Sequence, residues 1–444
     1  MNRRDFIKIS GAAALTAACG RASDNTATEE EGVMSTRVNP LNGDRTSLIG
    51  YGCMRWPMIP GPDGAEVIDQ NAVNEMVDYA VSHGINYFDT SPAYLQGQSE
   101  AAAGEALSRY PRESYYLATK LSNFGDASRE ASIQMYEDSF KHLRTDYIDY
   151  YFLHAIGGGG VAAFEKRYEE NGLLDFLIEQ KAKGRIRNLG FSFHGNQEAF
   201  DHFMVLHDNG RVKWDFVMIE MNYIDWEHAD GVRNVNANYL YAELDKRELP
   251  VMVMEPLLGG RLASPPAEIS AAMKSREPDA SAASWAFRFI GTYPRVQVIL
   301  SGMNKMDHIV ENVKTFSPLR PLSEEELEFL AEMAARMQDY PLINCTGCKY
   351  CMPCPWGIDI PGIFQYYNKS ITEGTFAHSQ EQKNYRKIKN AYLTGYNKAI
   401  PTLRQADHCI GCGWCMHHCP QSIRIPHELH RIDKYIESLK QDTL

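Results

Sequence analysis

The chain has 444 residues, of which 44% are hydrophobic, and this length gives room for one large domain and a smaller one. Its formal net charge of −12 argues against a general nucleic-acid-binding surface, because binding to phosphates depends on lysine and arginine side chains that release counterions. No stretch in the body of the chain approaches twenty uninterrupted apolar residues, so no membrane-spanning helix is predicted.

Residues 1–20 carry the pattern of a twin-arginine export signal. Arg3 and Arg4 are followed by Phe6 and by a short segment of small and apolar residues. The alternative, an amphipathic first helix, is weak because Gly11 and the alanine run give no apolar face. The pattern therefore predicts export across the cytoplasmic membrane, to the periplasm or to the membrane surface.

Cys19 ends a Leu-Thr-Ala-Ala-Cys string that is similar to a lipoprotein cleavage box, but with Leu15 one place too far back. Lipidation at this cysteine stays open, and a lipid anchor there would be the protein's one attachment to a membrane. The following segment, 21–39, is rich in Ser, Thr, Asp and Glu and lacks the apolar surface needed to fold. It is predicted to be a disordered linker.

Residues 40–320 show short apolar runs that alternate with longer helical patterns. The strand candidates are Leu48–Cys53, Ile85–Phe88, Tyr115–Thr119, Ile148–Leu153, Ile186–Phe191, Phe216–Glu220, Val251–Met254 and Val296–Leu300. The helical candidates are 70–83, 98–109, 130–143, 164–183, 196–208, 237–246, 281–290 and 306–315. Any single run could be a buried helix segment instead, but the repeated spacing predicts an α/β fold of the closed (β/α)8 TIM-barrel type.

Four polar residues follow successive predicted strands, where a barrel enzyme places its chemistry: Asp89, Tyr94, Lys120 and His154. A tyrosine has an ordinary pKa near 10, so a nearby ammonium is expected to favour its phenolate. Lys120, held by the Asp89 carboxylate, could supply that charge, and His154 could orient a carbonyl oxygen. Each residue also has an ordinary alternative, such as helix capping for Asp89, so the prediction depends on their joint order.

Residues 321–444 are predicted to form a mostly helical C-terminal domain that carries eight of the ten cysteines. They form two runs: Cys345, Cys348, Cys351 and Cys354, then Cys409, Cys412, Cys415 and Cys419, with a proline after each run. Such runs are typical of two-cluster ferredoxins, in which the fourth cysteine binds the other cluster. Zinc sites and disulfides fit the spacing poorly.

By the ferredoxin rule, Cys419 joins the first three cysteines of the first run around one 4Fe-4S cluster, and Cys354 joins Cys409, Cys412 and Cys415 around the second. The first run has two residues before its fourth cysteine where the rule has three. The assignment of the fourth ligands therefore stays open. A chain that receives clusters in the cytoplasm must also be exported folded, which the twin-arginine route permits.

The barrel region resembles the aldo-keto reductase family. The resemblance is carried by Gly84–Tyr94 with Ser99-Glu100, Leu117–Lys120, Asp149–His154, Gly190–Ser192, Glu255–Gly260, Ser301-Gly302 and Glu311-Asn312. With the cysteine runs behind the barrel, the chain is similar to the subgroup that carries a C-terminal 4Fe-4S domain. This resemblance implies hydride transfer between NAD(P)(H) and a carbonyl or alcohol, with Tyr94 as general acid supported by Lys120, Asp89 and His154.

The same resemblance implies contacts to a nicotinamide dinucleotide. Ser192 would bond the carboxamide, Leu257 and Gly259 would approach the pyrophosphate, and Gly302, Glu311 and Asn312 would frame the adenosine end.

Three residues depart from the family pattern. They put the binding of the nicotinamide and the preference for NADPH in doubt. Phe193 stands where the family commonly has Asn, Met218 where it has Gln, and His308 where some members have Arg.

The two halves of the chain predict different electron chemistry. A hydride carries two electrons together, whereas each cluster moves one, and the sequence has no flavin fingerprint to couple them. We expect an oxidoreductase for a small carbonyl or alcohol substrate whose clusters pass electrons to or from a partner protein. The alternatives are an electron carrier that uses the barrel as a scaffold, and clusters with a purely structural role.

Overall fold

The structure is a computed structural model that describes residues 32–62, 64–229, 231 and 234–444. The predicted export signal, Cys19 and most of the predicted linker lie outside the described residues. Among the residues that are described, no helix is both long and apolar enough to cross a bilayer.

Eight parallel strands close into a barrel in chain order, as predicted. The strands are β1 (Ile49–Gly52), β2 (Tyr87–Asp89), β3 (Tyr116–Leu121), β4 (Ile148–Ile156), β5 (Ile186–Phe193), β6 (Val217–Glu220), β7 (Val251–Met254) and β8 (Val296–Ser301). The barrel closes where Ile299 pairs with Ile49. Its interior is filled by large side chains that include Tyr87, Tyr150 and Phe216, as expected for a packed core rather than a pore.

Helices cover the outside of the barrel. They are α1 (Gln70–Ser82), α2 (Ser99–Leu107), α3 (Arg129–Leu143), α4 (Leu173–Ala182), α5 (Gln197–Asp208), α6 (Ala237–Asp245), α7 (Ala267–Arg276), α8 (Ala282–Gly291) and α9 (Met306–Thr315). Asp69, Ser128, Asn196 and Ser281 each accept a hydrogen bond from the backbone N–H three residues on. These side chains satisfy free N–H groups and fix where α1, α3, α5 and α8 begin.

The predicted helix 164–183 is wrong in its extent. A short helix, Gly160–Phe164, runs into a π-helical turn, Glu165–Glu169, and α4 begins only after Gly172, whose φ is 66°. The π-helical turn carries Arg167, which donates to the carbonyl oxygen of His154 at 3.2 Å. Turns of this kind are frequent at functional sites, and here the turn ties a cation to the end of β4.

The N-terminal end of the barrel is covered by an antiparallel hairpin that pairs Thr36–Val38 with Arg45–Ser47. The Arg37 guanidinium donates to carbonyl oxygens of Gly291, Tyr293 and Val296. The predicted linker therefore ends before residue 36, because this part of the segment is bound to the barrel by long-range hydrogen bonds.

The predicted domain boundary at 320 comes too early. Helix α10 (Glu324–Met337) follows, and its apolar face, with Leu330 and Met333, belongs to the barrel core. Glu326 also accepts from the guanidinium of Arg288 at 2.7 Å. The core of the C-terminal domain begins at Ile343 and is built from α11 (Ile360–Thr372), α12 (Tyr385–Ala399) and α13 (Ile425–Gln441).

Gly104 is the point of closest approach between α2 and α3. A Cβ added there would lie 2.2 Å from the carbonyl oxygen of His142. We expect Gly104→Ala to lower the free energy of unfolding by about 1 to 3 kcal/mol, because the overlap outweighs the gain in helix propensity. Thermal unfolding followed by circular dichroism measures this, with Gly125→Ala as control because that methyl would enter open space. An unchanged midpoint for Gly104→Ala would contradict the packing.

Candidate active site and cysteine cavities

The four predicted strand-end residues come together at the C-terminal face of the barrel. The Lys120 ammonium donates to Asp89 Oδ1 at 2.5 Å and to the carbonyl oxygen of Thr90 at 2.8 Å. Its Nζ lies 4.9 Å from the centroid of the Tyr94 ring. The rings of Tyr94 and His154 are nearly perpendicular, with centroids 6.1 Å apart. We call these residues, Asp89, Tyr94, Lys120 and His154, the tetrad.

A tight turn after β2 positions Tyr94. Its N–H donates to the carbonyl oxygen of Ser91, and the next two residues, Leu95 and Gln96, have φ values of 49° and 57°. Non-glycine residues rarely adopt this left-handed conformation, and such strain concentrates at functional sites.

Burial dominates the electrostatics of the tetrad. It raises the pKa of the Tyr94 phenol well above its ordinary value, and the negative charges of Asp89, Cys53, Glu255 and Cys348 add to the effect. Burial and the neighbouring acidic groups therefore outweigh the lowering of the phenol pKa that was predicted for Lys120, whose Nζ lies 4.9 Å from the ring centroid. A phenol that stays protonated is suited to donating a proton, which is the direction of carbonyl reduction.

His154 is held as a neutral ring. Burial lowers its pKa well below the ordinary value, and Lys120 and Arg167 lower it further. Its Nδ1 lies 2.6 Å from Ser122 Oγ and 3.4 Å from Ser91 Oγ, which leaves Nε2 to face a substrate oxygen. The sequence analysis missed both serines, although each stands two residues after a tetrad member, the spacing that places side chains on one face of a strand.

The eight C-terminal cysteines line two cavities, four to each. One cavity is lined by Cys345, Cys348, Cys351 and Cys419. The other is lined by Cys354, Cys409, Cys412 and Cys415. We call these the first and second cavities, and each takes thiols from both runs.

The donor set fits polynuclear clusters. None of the nine cysteines in the described part of the chain forms a disulfide. No group of three or more His, Cys, Asp or Glu side chains among those same residues is arranged to hold a single metal ion. Four thiols around one cavity are the donor set that a 4Fe-4S cluster requires.

The first cavity lies against the mouth of the barrel. Gln421, which lines it, donates from Nε2 to both carboxylate oxygens of Glu220, at the end of β6, at 3.0 Å. Tyr350, beside Cys351, lies 6.4 Å from the ring of Phe124, whose ring is 5.0 Å from that of His154. The tetrad and the first cavity are therefore neighbours.

The surroundings of Gly259 do not fit the pyrophosphate predicted to approach it. A Cβ at Gly259 would lie 2.4 Å from Cα and O of Thr346, so the backbone of the C-terminal domain fills the space that the glycine leaves. Its N–H already donates to Glu255 Oε2 at 2.7 Å. A carboxylate at this position would also repel a phosphate.

Other predicted dinucleotide contacts also have partners within the chain. Ser192 Oγ accepts from the N–H of Ala155 at 2.8 Å, and Asn312 Nδ2 donates to Ser301 Oγ at 3.0 Å. A Cβ at Gly302 would lie 3.0 Å from Arg55 Cδ. The remaining two predicted contacts are surface positions, the half-buried Leu257 and the exposed Glu311.

Two of the three residues that depart from the family pattern lie in the core. Phe193 packs against Phe200, with ring centroids 5.2 Å apart, and Met218 belongs to the apolar interior of the barrel. His308 is exposed on α9.

Glu220 gives a prediction for the pH dependence of stability. Burial, together with nearby Asp225 and Glu255, raises its pKa well above the 4.5 of an ordinary glutamate. Above about pH 4.5 the unfolded chain loses this proton while the folded chain keeps it, so stability falls as pH rises, by about 1.4 kcal/mol for each unit between the two pKa values.

We expect Glu220→Gln to remove this loss of stability with rising pH, because an amide keeps a hydrogen bond to Gln421 without titrating. The difference in thermal unfolding midpoint between pH 6 and pH 8 should be smaller in the variant than in the parent. The exposed Glu328→Gln is the control and should behave as the parent does. Equal pH dependence in the parent and Glu220→Gln would contradict the assignment.

Comparisons with known proteins agree with this geometry. Residues 48–335 match the model of the Aldo/keto reductase family, and residues 344–424 match that of the 4Fe-4S dicluster domain. The uncharacterized oxidoreductase YqkF of Bacillus subtilis is 26% identical over 303 residues, which cover 64% of this chain and 91% of that protein. L-galactose dehydrogenase of Arabidopsis thaliana is 26% identical over 324 residues, which cover 68% and 94%.

Solved structures share the barrel fold. The holo form of aldo-keto reductase AKR11C1 from Bacillus halodurans superposes with a TM-score of 0.53 at 22% identity, covering 68% of this chain and 96% of that one. An aldo-keto reductase from Klebsiella pneumoniae in complex with NADPH superposes with a TM-score of 0.51 at 21% identity, covering 68% and 95%.

Proposed function

This chain belongs to the aldo/keto reductase family, and from that premise we propose that it is an iron-sulfur oxidoreductase that reduces a small carbonyl compound, with Tyr94 as the proton donor. The observation that carries the proposal is the tetrad, in which a buried ammonium and carboxylate lie beside a protonated phenol. The reverse reaction, alcohol oxidation, would use the same groups.

The residues of the tetrad have separate roles in this reaction. Tyr94 gives its proton to the oxygen of the substrate as negative charge develops there. Lys120 stabilises the phenolate that remains, and Asp89 holds the ammonium in place at 2.5 Å. His154, kept neutral by burial, donates a hydrogen bond that orients the carbonyl oxygen.

We assign one 4Fe-4S cluster to each cavity, with the four thiols of that cavity as ligands. When bound, such clusters supply one electron at a time. The electrons come from, or go to, a redox partner protein. The 4Fe-4S dicluster match over 344–424 supports this part of the proposal.

NAD(P)(H) was the hydride carrier implied by the resemblance, and the Klebsiella pneumoniae relative was solved with NADPH. In this chain a Cβ at Gly259 would overlap the backbone of Thr346, and the Gly259 N–H already donates to Glu255 Oε2. The residues around Gly259 therefore do not fit the pyrophosphate of the dinucleotide.

The test is anaerobic purification of the full chain, iron and sulfide analysis, and reaction of the dithionite-reduced protein with a panel of aldehydes, ketones and quinones. We expect about eight iron and eight sulfide per chain, and oxidation of the protein together with formation of the reduced product. Intact clusters without reduction of any compound would favour the alternative of an electron carrier. Clusters that dithionite cannot reduce would favour a purely structural role.

We also propose that the chain is exported by the twin-arginine route and works in the periplasm or anchored through Cys19. The support is the Arg3-Arg4 pair with the apolar segment behind it. Replacing both arginines by lysine should keep the protein in the cytoplasm, as measured by cell fractionation. Unchanged fractionation would contradict this localisation.

A further inference from the structure

We propose that residues 344–350 of the C-terminal domain occupy the position at which a dinucleotide would bind to this barrel. The substrate at Tyr94 then receives its electrons from the cluster assigned to the first cavity, and not from NAD(P)H. The corresponding substrate class is a quinone. This inference rests on the proposed function and specifies its electron source and its substrate.

The first support is the contact between Thr346 and the loop after β7. The backbone of Thr346 lies where a side chain at Gly259 would be, and Glu255 takes the Gly259 N–H. On the other side, the Arg55 guanidinium donates to the carbonyl oxygen of Thr346. The segment is thus held between the ends of β1 and β7, and the Arg55 guanidinium is already used by a backbone carbonyl.

The second support is that other contacts fix the same segment and its neighbours to the barrel. Asn344 Oδ1 accepts from the Arg261 guanidinium at 2.8 Å. Gln421 holds the buried carboxylate of Glu220 with two hydrogen bonds. Thr346 and Gln421 also line the first cavity. Two residues of the cavity wall, Thr346 and Gln421, are therefore also contacts to the barrel.

The third support is the short path from the first cavity to the proton donor. Tyr350 follows Cys348 by two residues and, through Phe124, stands next to His154. A group bound by the thiols of this cavity would therefore lie beside the tetrad.

The chemistry then selects the substrate. With the dinucleotide excluded, electrons arrive singly, whereas a simple ketone requires a new C–H bond that a hydride forms in one step. A quinone needs no C–H bond. Its two C=O groups become C–OH groups by taking two electrons and two protons. The electrons come one at a time from two reduced molecules of a low-potential one-electron donor protein, each of which is oxidised once. One proton comes from Tyr94, which is reprotonated from solvent, and the other comes from solvent.

The first experiment measures NADPH binding to the anaerobically purified full chain, by nicotinamide fluorescence and by calorimetry. We expect no binding up to about 1 mM, the upper end of common Michaelis constants. Micromolar binding, or reduction of an aldehyde by NADPH, would overturn this inference while leaving the proposed function standing.

The second experiment mixes the dithionite-reduced protein with menadione and follows the loss of the cluster signals by electron paramagnetic resonance. We expect one quinol for two electrons, and at least a tenfold slower reaction in Tyr94→Phe at unchanged midpoint potentials. Because non-specific oxidation of the clusters would not depend on this phenol, equal rates would overturn the inference. Reduction of neither menadione nor any other carbonyl compound would instead contradict the proposed function.

Two glycines provide a matched pair of variants. Gly259 and Gly260 both have positive φ, 65° and 102°, but an added Cβ meets Thr346 only at Gly259. We expect Gly259→Ala to shift the midpoint potential of one cluster and to slow menadione reduction, and Gly260→Ala to do neither. The same response in both variants would indicate backbone strain and overturn the role of the contact.

Discussion

Replacing Cys419 by serine is expected to remove about half of the iron, four of about eight atoms per chain, although the residue belongs to the second cysteine run. The reason is that its thiol lines the first cavity together with Cys345, Cys348 and Cys351. Cys354→Ser should cause an equal loss from the other cavity. Iron and sulfide analysis measures the amounts, and electron paramagnetic resonance shows which of the two signals remains.

Double variants separate this crossed arrangement from one in which each run holds its own cluster. With crossed ligands, Cys345→Ser combined with Cys419→Ser damages one cavity and leaves about four iron atoms, whereas Cys345→Ser combined with Cys354→Ser damages both. With separate runs the two outcomes are exchanged. The comparison stays informative if a serine oxygen retains a weakened cluster, because each double variant carries two serine substitutions.

Replacing Tyr94 by phenylalanine is expected to lower the rate of carbonyl reduction by about 10²- to 10⁴-fold, the usual contribution of a positioned general acid. The cluster spectra and midpoint potentials should stay unchanged, because the hydroxyl is not among the cavity ligands. Stopped-flow oxidation of the reduced protein measures the rate. Tyr151→Phe is the matched control, since it removes a buried hydroxyl that has no hydrogen-bond partner and lies outside the tetrad.

The raised pKa of Tyr94 adds a pH criterion to this prediction. Because the donor is the protonated phenol, the rate should not fall as pH rises through the range where an ordinary tyrosine begins to lose its proton, near 10. A decrease centred below that value in the parent protein, absent from Tyr94→Phe, would mean that Lys120 does lower the pKa. Full activity of Tyr94→Phe would assign the proton donor to another group.

The sequence was sufficient for the barrel because each strand is a short apolar run with turn residues at its ends, repeated eight times. It was insufficient where distant contacts decide the conformation. Thr36–Val38 is polar, and its place depends on Arg37 reaching carbonyl oxygens more than 250 residues away. The break in the helix predicted over 164–183 depends on Gly172 and on the contacts of Arg167.

In the candidate site, too, some features could be predicted from the sequence and others could not. Asp89 and Lys120 could be predicted to lie together because both stand at strand ends, and they do. The direction of the Tyr94 pKa shift could not be predicted, because it depends on burial beneath residues that follow much later in the chain. The contact of Thr346 with Gly259 joins two domains, and no local sequence pattern in either segment predicts it.

The exchange of thiols between the two cysteine runs has a consequence for biogenesis. Cys354 can join the other thiols of the second cavity only after Cys409, Cys412 and Cys415 have been translated. The first cavity is complete only after Cys419 has been translated. On the proposed cluster assignment, neither cluster can gain its full set of thiol ligands on a nascent polypeptide that ends before Cys415. Cluster insertion would therefore follow translation of the second run, and a truncation after the first run would leave both cavities without their full set of thiols.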